Sequence, residues 1–199
     1  PNIVSIYDYL EENDTAYMVM EYLHGCTLKQ YVIDHGMGLN TDYILHICLS
    51  VLDALAVVHK AGMIHRDISP ENIFICEDLT VKLIDFGAAK QVYLDGEQTM
   101  TVVLKPGYAP PEQYVKKDKQ GPWTDIYALG ATLYFAATGI KPEDSFSRAS
   151  EDTVKAVCDI NPEIPVYLSE VIMYAMAVSI EERYPTVEAM REALLDSVN

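Results

Sequence analysis

Between Thr124 and Thr138 the chain is apolar nearly all round: Ile126, Tyr127, Leu129, Leu133, Tyr134 and Phe135 leave no polar stripe at helical spacing. A helix of that composition has no face to give to water, so a domain must be wrapped around it. The clearest helix to do so is Thr41 to Ala61. There Ile44, Ile47, Cys48, Val51, Leu52, Leu55 and Val58 keep the i, i+3, i+4, i+7 spacing of one buried face. Asn40 or Thr41 can cap its start and Gly62 can stop it. Two amphipathic helices close the chain, from about Pro165 to Val178 and from Thr186 to Val198. The first residues read as strands instead. Ile3, Val4, Ile6, Tyr7 and Tyr9 form one β-rich run and Tyr17 to Met20 the next, joined by turn chemistry at Glu11-Glu12-Asn13-Asp14. Short β-rich pieces recur at Ile73 to Ile75 and Val81 to Ile84. From Ala88 to Glu112 no periodicity is sustained, which predicts a long loop of the kind that compact domains keep for function. The expected class is α+β: a mostly helical body with a short β-hairpin.

With 199 residues, half of them hydrophobic, the chain can bury one substantial core. Its formal charge of −16, from 30 acidic against 14 basic side chains, argues against nucleic acid as a partner, since that affinity rests on clustered Lys and Arg. A generic solubilising surface explains the charge equally well. Cys26, Cys48, Cys76 and Cys158 show no spacing typical of zinc. Cys48 and Cys158 lie in apolar surroundings and read as buried thiols, and reduced cysteines point to the cytoplasm. No apolar stretch is expected to span a bilayer. Pro1 opens directly inside a strand-like run, so the expectation is a piece of a longer polypeptide, whose other parts could anchor it to a membrane.

The chemistry is concentrated in His65-Arg66-Asp67-Ile68-Ser69-Pro70-Glu71-Asn72, on a loop after the long helix. Phosphoryl transfer needs a carboxylate to orient the attacking hydroxyl and accept its proton, and oxygen ligands for Mg²⁺. Asp67 and Asn72, five residues apart, offer both. Eighteen positions past Asp67 stands Asp85-Phe86-Gly87, where Asp85 can reach ATP phosphates through Mg²⁺ and Gly87 lets the backbone turn. Each triplet alone could be an ordinary surface loop; their order and context make the pair specific.

At these residues the chain resembles the eukaryotic-like Ser/Thr protein kinases common in bacteria. Gly107-Tyr108-Ala109-Pro110-Pro111-Glu112 resembles the end of an activation segment, with Pro110 where Ala is usual. Asp125 to Gly130 is similar to the buried helix whose Asp holds the catalytic loop. Arg183 matches the arginine that pairs with the segment's Glu, here Glu112; the bland alternative is two unrelated surface charges. Met20-Glu21-Tyr22-Leu23 resembles the last N-lobe strand and hinge. The resemblance implies that the backbone of Glu21 and Leu23 bonds the adenine edge, that Met20 is the gatekeeper and that Phe74 packs beneath the ring, although plain core packing would also account for Met20 and Phe74. It further implies residues 1–23 as N-lobe strands and hinge, residues 24–199 as the C-lobe, ATP and Mg²⁺ as cofactors, and a protein substrate bearing Ser or Thr. A sensor domain fused outside these residues is compatible with it. The Gly-rich loop, strand Lys and helix C Glu of the family are expected upstream of Pro1, so this chain alone should not catalyse. Ser69-Pro70-Glu71 favours Ser/Thr over Tyr specificity. The rivals are a pseudokinase serving as a binding module and a small-molecule kinase, which lacks the Ala-Pro-Glu-like segment.

Two positions depart from the family. Position 69 usually holds a Lys that contacts the transferred phosphate, and here it is Ser; the places usually held by Gly-Thr carry Leu104-Lys105. One reading is an exchange, in which Lys105 returns the positive charge and Ser69 the hydroxyl to the same spot. The other is a weakened enzyme whose Lys105 binds acidic substrate. Arg66 beside Asp67 further implies control by phosphorylation at Tyr93, Thr99 or Thr101.

Overall fold

The computed structural model describes residues 1–36, 38–85, 104–115 and 119–196, and the backbone of 90–91. Tyr93, Thr99, Thr101, Phe86 and Gly87 lie outside them. At the centre is the all-apolar helix, which runs Pro122–Thr138 (α4, numbered here in chain order with the elements below). Its start lies two residues ahead of the expected Thr124, because Pro122 is pre-set for a first turn and Thr124 Oγ1 accepts the Gly121 N–H at 3.2 Å. Ile126, Leu129 and Leu133 are wholly buried. Each is worth about 1.5–3 kcal/mol relative to exposure.

Around α4 stand α2 (Thr41–Lys60), α7 (Val166–Ala175) and α8 (Val187–Asp196); α7 is shorter than expected, and the expected end of α8 at Val198 lies outside the described residues. Asn40 caps α2 by accepting the Tyr43 N–H at 3.2 Å. At Gly130 a Cβ would come within 2.9 Å of the Ala175 Cβ, so a glycine is what lets α4 and α7 approach. Contrary to expectation, α2 is by length and composition apolar enough to cross a membrane, but half of that stretch is buried inside the domain. Its apolar face packs on α4 and α8, which marks a core helix.

Strands β1 (Ile6–Glu12) and β2 (Thr15–Met20) form an antiparallel hairpin in register Ile6 to Met20 through Glu12 to Thr15. Its turn residues Asn13 and Asp14 have φ of 54° and 53°, a left-handed pair that these residue types tolerate. The expected strand from Ile3 starts later because residues 2–4 pair elsewhere: Val4 N–H donates to Leu83 O, and Leu83 N–H to Asn2 O. A second sheet has the order β3 (Gly25–Thr27), β5 (Ile73–Cys76), β6 (Val81–Leu83), all antiparallel. A third pairs β4 (Met63–Ile64) with β7 (Lys90–Gln91), so the expected long loop contains a short strand near its start.

The short helices α1 (Leu28–Asp34), α3 (Pro111–Tyr114), α5 (Ser145–Ser150) and α6 (Val157–Ile160) complete the body. All four cysteines are free. Cys48 is buried, and loss of solvent pushes its thiol up to about 12. Cys158, expected to be buried, is only partly so: on the short helix α6 it is the neighbouring Val157 that is fully buried.

Candidate active site

The loop between β4 and β5 is hung from one carboxylate. Asp125, in the first turn of α4 and fully buried, accepts the His65 N–H on Oδ2 at 2.8 Å and the Arg66 N–H on Oδ1 at 2.7 Å. The ring of His59, in the last turn of α2, meets the same Oδ2 through Nε2 at 2.8 Å. His59 went unnoticed in the sequence, where a single histidine near a helix end carries no signal. Hydrogen bonds to a charged acceptor in a dry site are among the stronger ones. They offset the cost of holding Arg66 at a φ of 70°, a conformation worth about 1–3 kcal/mol of strain for a non-glycine residue.

His65 is itself buried, and its Nδ1 accepts the Asp67 N–H at 3.3 Å. Desolvation holds its pKa below the ordinary imidazole value, with Asp125 pulling more weakly the other way. The unfolded chain therefore takes up the His65 proton more readily than the folded one. Stability contributed by the neutral ring is complete above about pH 6.5 and is lost as pH falls from there through the folded pKa. The melting temperature is expected to decline between about pH 6.5 and 5, and this slope should flatten in His65→Gln. Parallel slopes for the two proteins would show that the ring does not titrate this way.

Asp67 is held through both oxygens. Oδ2 accepts the Asn72 amide at 2.7 Å, and Oδ1 lies 2.9 Å from the Lys105 ammonium. The same ammonium donates to Ser69 Oγ at 2.9 Å. Lys105 and Ser69 are 36 residues apart in sequence, and the fold brings both departures from the family pattern to one point beside Asp67. Ser69 is fully buried, so its hydroxyl has little choice of partner.

Asn72 also donates to the Asp67 carbonyl at 2.8 Å, and its own carbonyl accepts the Ile84 N–H at 2.9 Å. That bond sets Ile84 against the loop, and Asp85, with φ of 62°, is the next residue. With its amide nitrogen committed to Asp67, Asn72 keeps its side-chain oxygen as an acceptor. Among the described residues no three or more His, Cys, Asp or Glu stand together as a metal cage. The pair Asn72 and Asp85 suits Mg²⁺, which is bound by one or two protein oxygens together with phosphates.

The residues expected to form a hinge follow β2: Met20 ends that strand, and Glu21 and Leu23 lie between it and β3. The Glu21 side chain is occupied: Oε1 accepts the Lys82 ammonium at 2.6 Å and the Ser5 N–H at 2.7 Å, and chiefly the lysine bond holds its pKa below the carboxylate range. Lys82 pairs across β5–β6 with Phe74, so the Phe74 ring, half-buried, stands on the face turned toward Glu21. Leu23 is half-buried and Met20 is 43% exposed at the end of β2.

On the opposite side of the loop, Glu112 and Arg183 form a buried bidentate pair, with Nη1 to Oε1 at 2.7 Å and Nη2 to Oε2 at 3.2 Å. Arg183 also donates to the carbonyls of Ala177 and Val178, and Glu112 accepts the Thr124 hydroxyl at 3.0 Å. The pair joins residues 71 apart in sequence, as the resemblance implied, and excludes the alternative of two unrelated surface charges. Arg183 and Arg148 both lie against the ring of Tyr127, at 4.8 and 5.9 Å from its centroid.

A fold built on a buried Asp-bearing helix, a carboxylate and amide on one loop, and a clamped segment over them defines a phosphotransferase-like class. The family model described as a protein kinase domain matches residues 1–193, and the chain belongs to the protein kinase family. It is 36% identical over 197 residues to the probable serine/threonine-protein kinase PknB of Lactococcus lactis, covering 96% of this chain and 31% of the relative. It is likewise 36% identical over 197 residues to the serine/threonine-protein kinase PrkC of Bacillus subtilis, covering 96% of the chain and 30% of that protein. Among solved structures it is similar to PpkA-294 in its apo form, with a TM-score of 0.83 and 32% identity over 98% of this chain and 68% of the other. The chain thus spans about a third of the length of these two curated relatives.

Proposed function

We propose that the full-length protein transfers the γ-phosphoryl group of ATP to Ser or Thr hydroxyls of protein substrates. The observation that carries this reading is the double hold on Asp67, with Asn72 on one oxygen and the shared Lys105–Ser69 contact beside the other. Asp67 orients the substrate hydroxyl and takes its proton as the new oxygen–phosphorus bond forms and ADP departs. Asn72 and Asp85 would hold Mg²⁺, which when bound would offset negative charge on the phosphate oxygens. Lys105 supplies the further cation that charge on the transferring group requires, and Ser69 aims it. Met20, Glu21, Leu23 and Phe74 receive the adenine. Residues 1–23 serve as N-lobe strands and hinge and residues 24–199 as the C-lobe. A cytoplasmic setting accompanies this reading, supported by four free thiols.

Incubation of the full-length protein with radiolabelled Mg·ATP and a mixed protein substrate is expected to give phosphoserine and phosphothreonine on hydrolysis. Phosphotyrosine alone would overturn the substrate class. Mg-dependent ATP binding without any transfer would establish the pseudokinase reading in its place.

A further inference from the structure

Lys105 differs from a catalytic cation carried on the loop of Asp67: it arrives on a separate segment, which must be held in register with that loop. A lysine on a flexible stem does not fix its own ammonium, so holding two contacts at 2.9 Å together relies on surrounding elements set to about half an ångström. Part of the fixing is internal to the segment. The Lys105 carbonyl accepts the N–H groups of Tyr108 and Ala109, both at 3.0 Å, closing a tight turn through Gly107 at φ 89°. The Ala109 carbonyl in turn accepts the buried Ser145 hydroxyl at 2.8 Å. These bonds tie the segment to α5, and none of them reaches the loop of Asp67.

Among the described hydrogen bonds, the backbone of that loop is reached from residues 104–115 at one place: Gln113 Nε2 donates to the Arg66 carbonyl at 2.8 Å. The acceptor is a rigid one. The peptide joining Arg66 to Asp67 is pinned at its N–H by His65 Nδ1, and the Arg66 N–H is pinned by Asp125. Gln113 is anchored too, since its N–H closes a turn onto the Pro110 carbonyl at 3.0 Å. A small recess lined by Arg66, Asp67, Lys105, Tyr108 and Gln113 lies between the two elements.

We propose that Gln113 is the positioning residue that registers the Lys105-bearing segment against the catalytic loop, so that the ammonium spans Asp67 and Ser69 together. This rests on the reading of Lys105 as the cation for transfer. A glutamine is suited to it because the acceptor is a carbonyl, which needs a donor, and because an uncharged donor does not compete with Lys105 for Asp67.

The test uses the full-length protein with a Ser-containing peptide substrate. Gln113→Glu keeps the size but replaces the donor with an acceptor facing a carbonyl. It is expected to lower kcat by roughly tenfold to a hundredfold, the scale of an ångström misplacement, with KM for ATP unchanged. In a Lys105→Ala background the same change should cost less than about twofold, because nothing remains to be registered. Equal losses in both backgrounds would overturn the proposal. A second measurement does not depend on turnover: the rate at which an amine-reactive reagent labels Lys105, followed by mass spectrometry, should rise several-fold in Gln113→Glu. Unchanged labelling would also overturn it. If Lys105→Ala leaves turnover near normal while labelling responds as expected, the reading of Lys105 fails and the positioning by Gln113 stands.

Discussion

Lys105→Ala is expected to lower kcat of the full-length protein by about a hundredfold to a thousandfold while leaving KM for ATP nearly unchanged, the range seen when one preorganised donor is removed from developing charge. The ammonium stands 2.9 Å from Asp67 Oδ1 and 2.9 Å from Ser69 Oγ, beside the carboxylate proposed to take the substrate proton. In that position it meets charge that grows on the phosphoryl oxygens during transfer and does little for nucleotide bound in the ground state. Loss of a contact of that kind appears in kcat and kcat/KM together. The companion variant is the reverse exchange, Ser69→Lys with Lys105→Thr, which returns the cation to the loop. It should recover at least part of the activity that Lys105→Ala loses. Near-normal turnover in Lys105→Ala, measured by steady-state kinetics, would leave the weakened-enzyme reading of Ser69 in possession.

The second large effect is on stability. Arg183→Ala leaves the Glu112 carboxylate buried with, among the described residues, the Thr124 hydroxyl as its side-chain donor, and leaves the carbonyls of Ala177 and Val178 without their guanidinium donor. Breaking a buried ion pair from one side costs about 3–5 kcal/mol. For a domain near this size each kcal/mol is worth roughly 2–4 °C, so the melting temperature should fall by about 10 °C or somewhat more. The sign changes for paired replacement. Glu112→Met together with Arg183→Met removes both charges and should restore much of the loss, since desolvating an ion pair offsets most of its attraction. Calorimetry of the single and double variants separates these outcomes. Additive losses in the double variant would show that the two side chains do not act as a pair.

What was legible in the sequence follows from how each signal is encoded. The α4 core helix showed itself because an all-apolar stretch has one physical solution, and α2 because its buried face repeats over five turns. The catalytic loop showed itself through residue types that transfer chemistry requires at short spacing. Lys105 and Ser69 could be paired before any coordinates because both break the family pattern in complementary ways. Local patterns could not supply the rest. Helices α5 and α6, at 6 and 4 residues, are too short for a period to repeat. Ile3 and Val4 read as strand, but their partner Leu83 is some eighty residues on, so sequence alone placed them in the wrong ladder. Gln113 and His59 carry no local signal at all, since an isolated amide or imidazole acquires meaning only from what the fold sets opposite it.

The suspension of the loop from Asp125 has a consequence in time. Any excursion that lifts His65 and Arg66 away must strip a fully buried carboxylate of two backbone donors and leave it only the His59 ring among the contacts described above, at the base of the helix on which the core is built. Such an opening is no cheaper than a large part of global unfolding, so amide exchange at these two residues belongs with the slowest in the domain. The segment of Lys105 and Gln113 hangs on bonds of its own, through the turn at Gly107 and the Ser145 hydroxyl. On the proposed reading, the proton acceptor and the cation are thereby held by two separate sets of bonds.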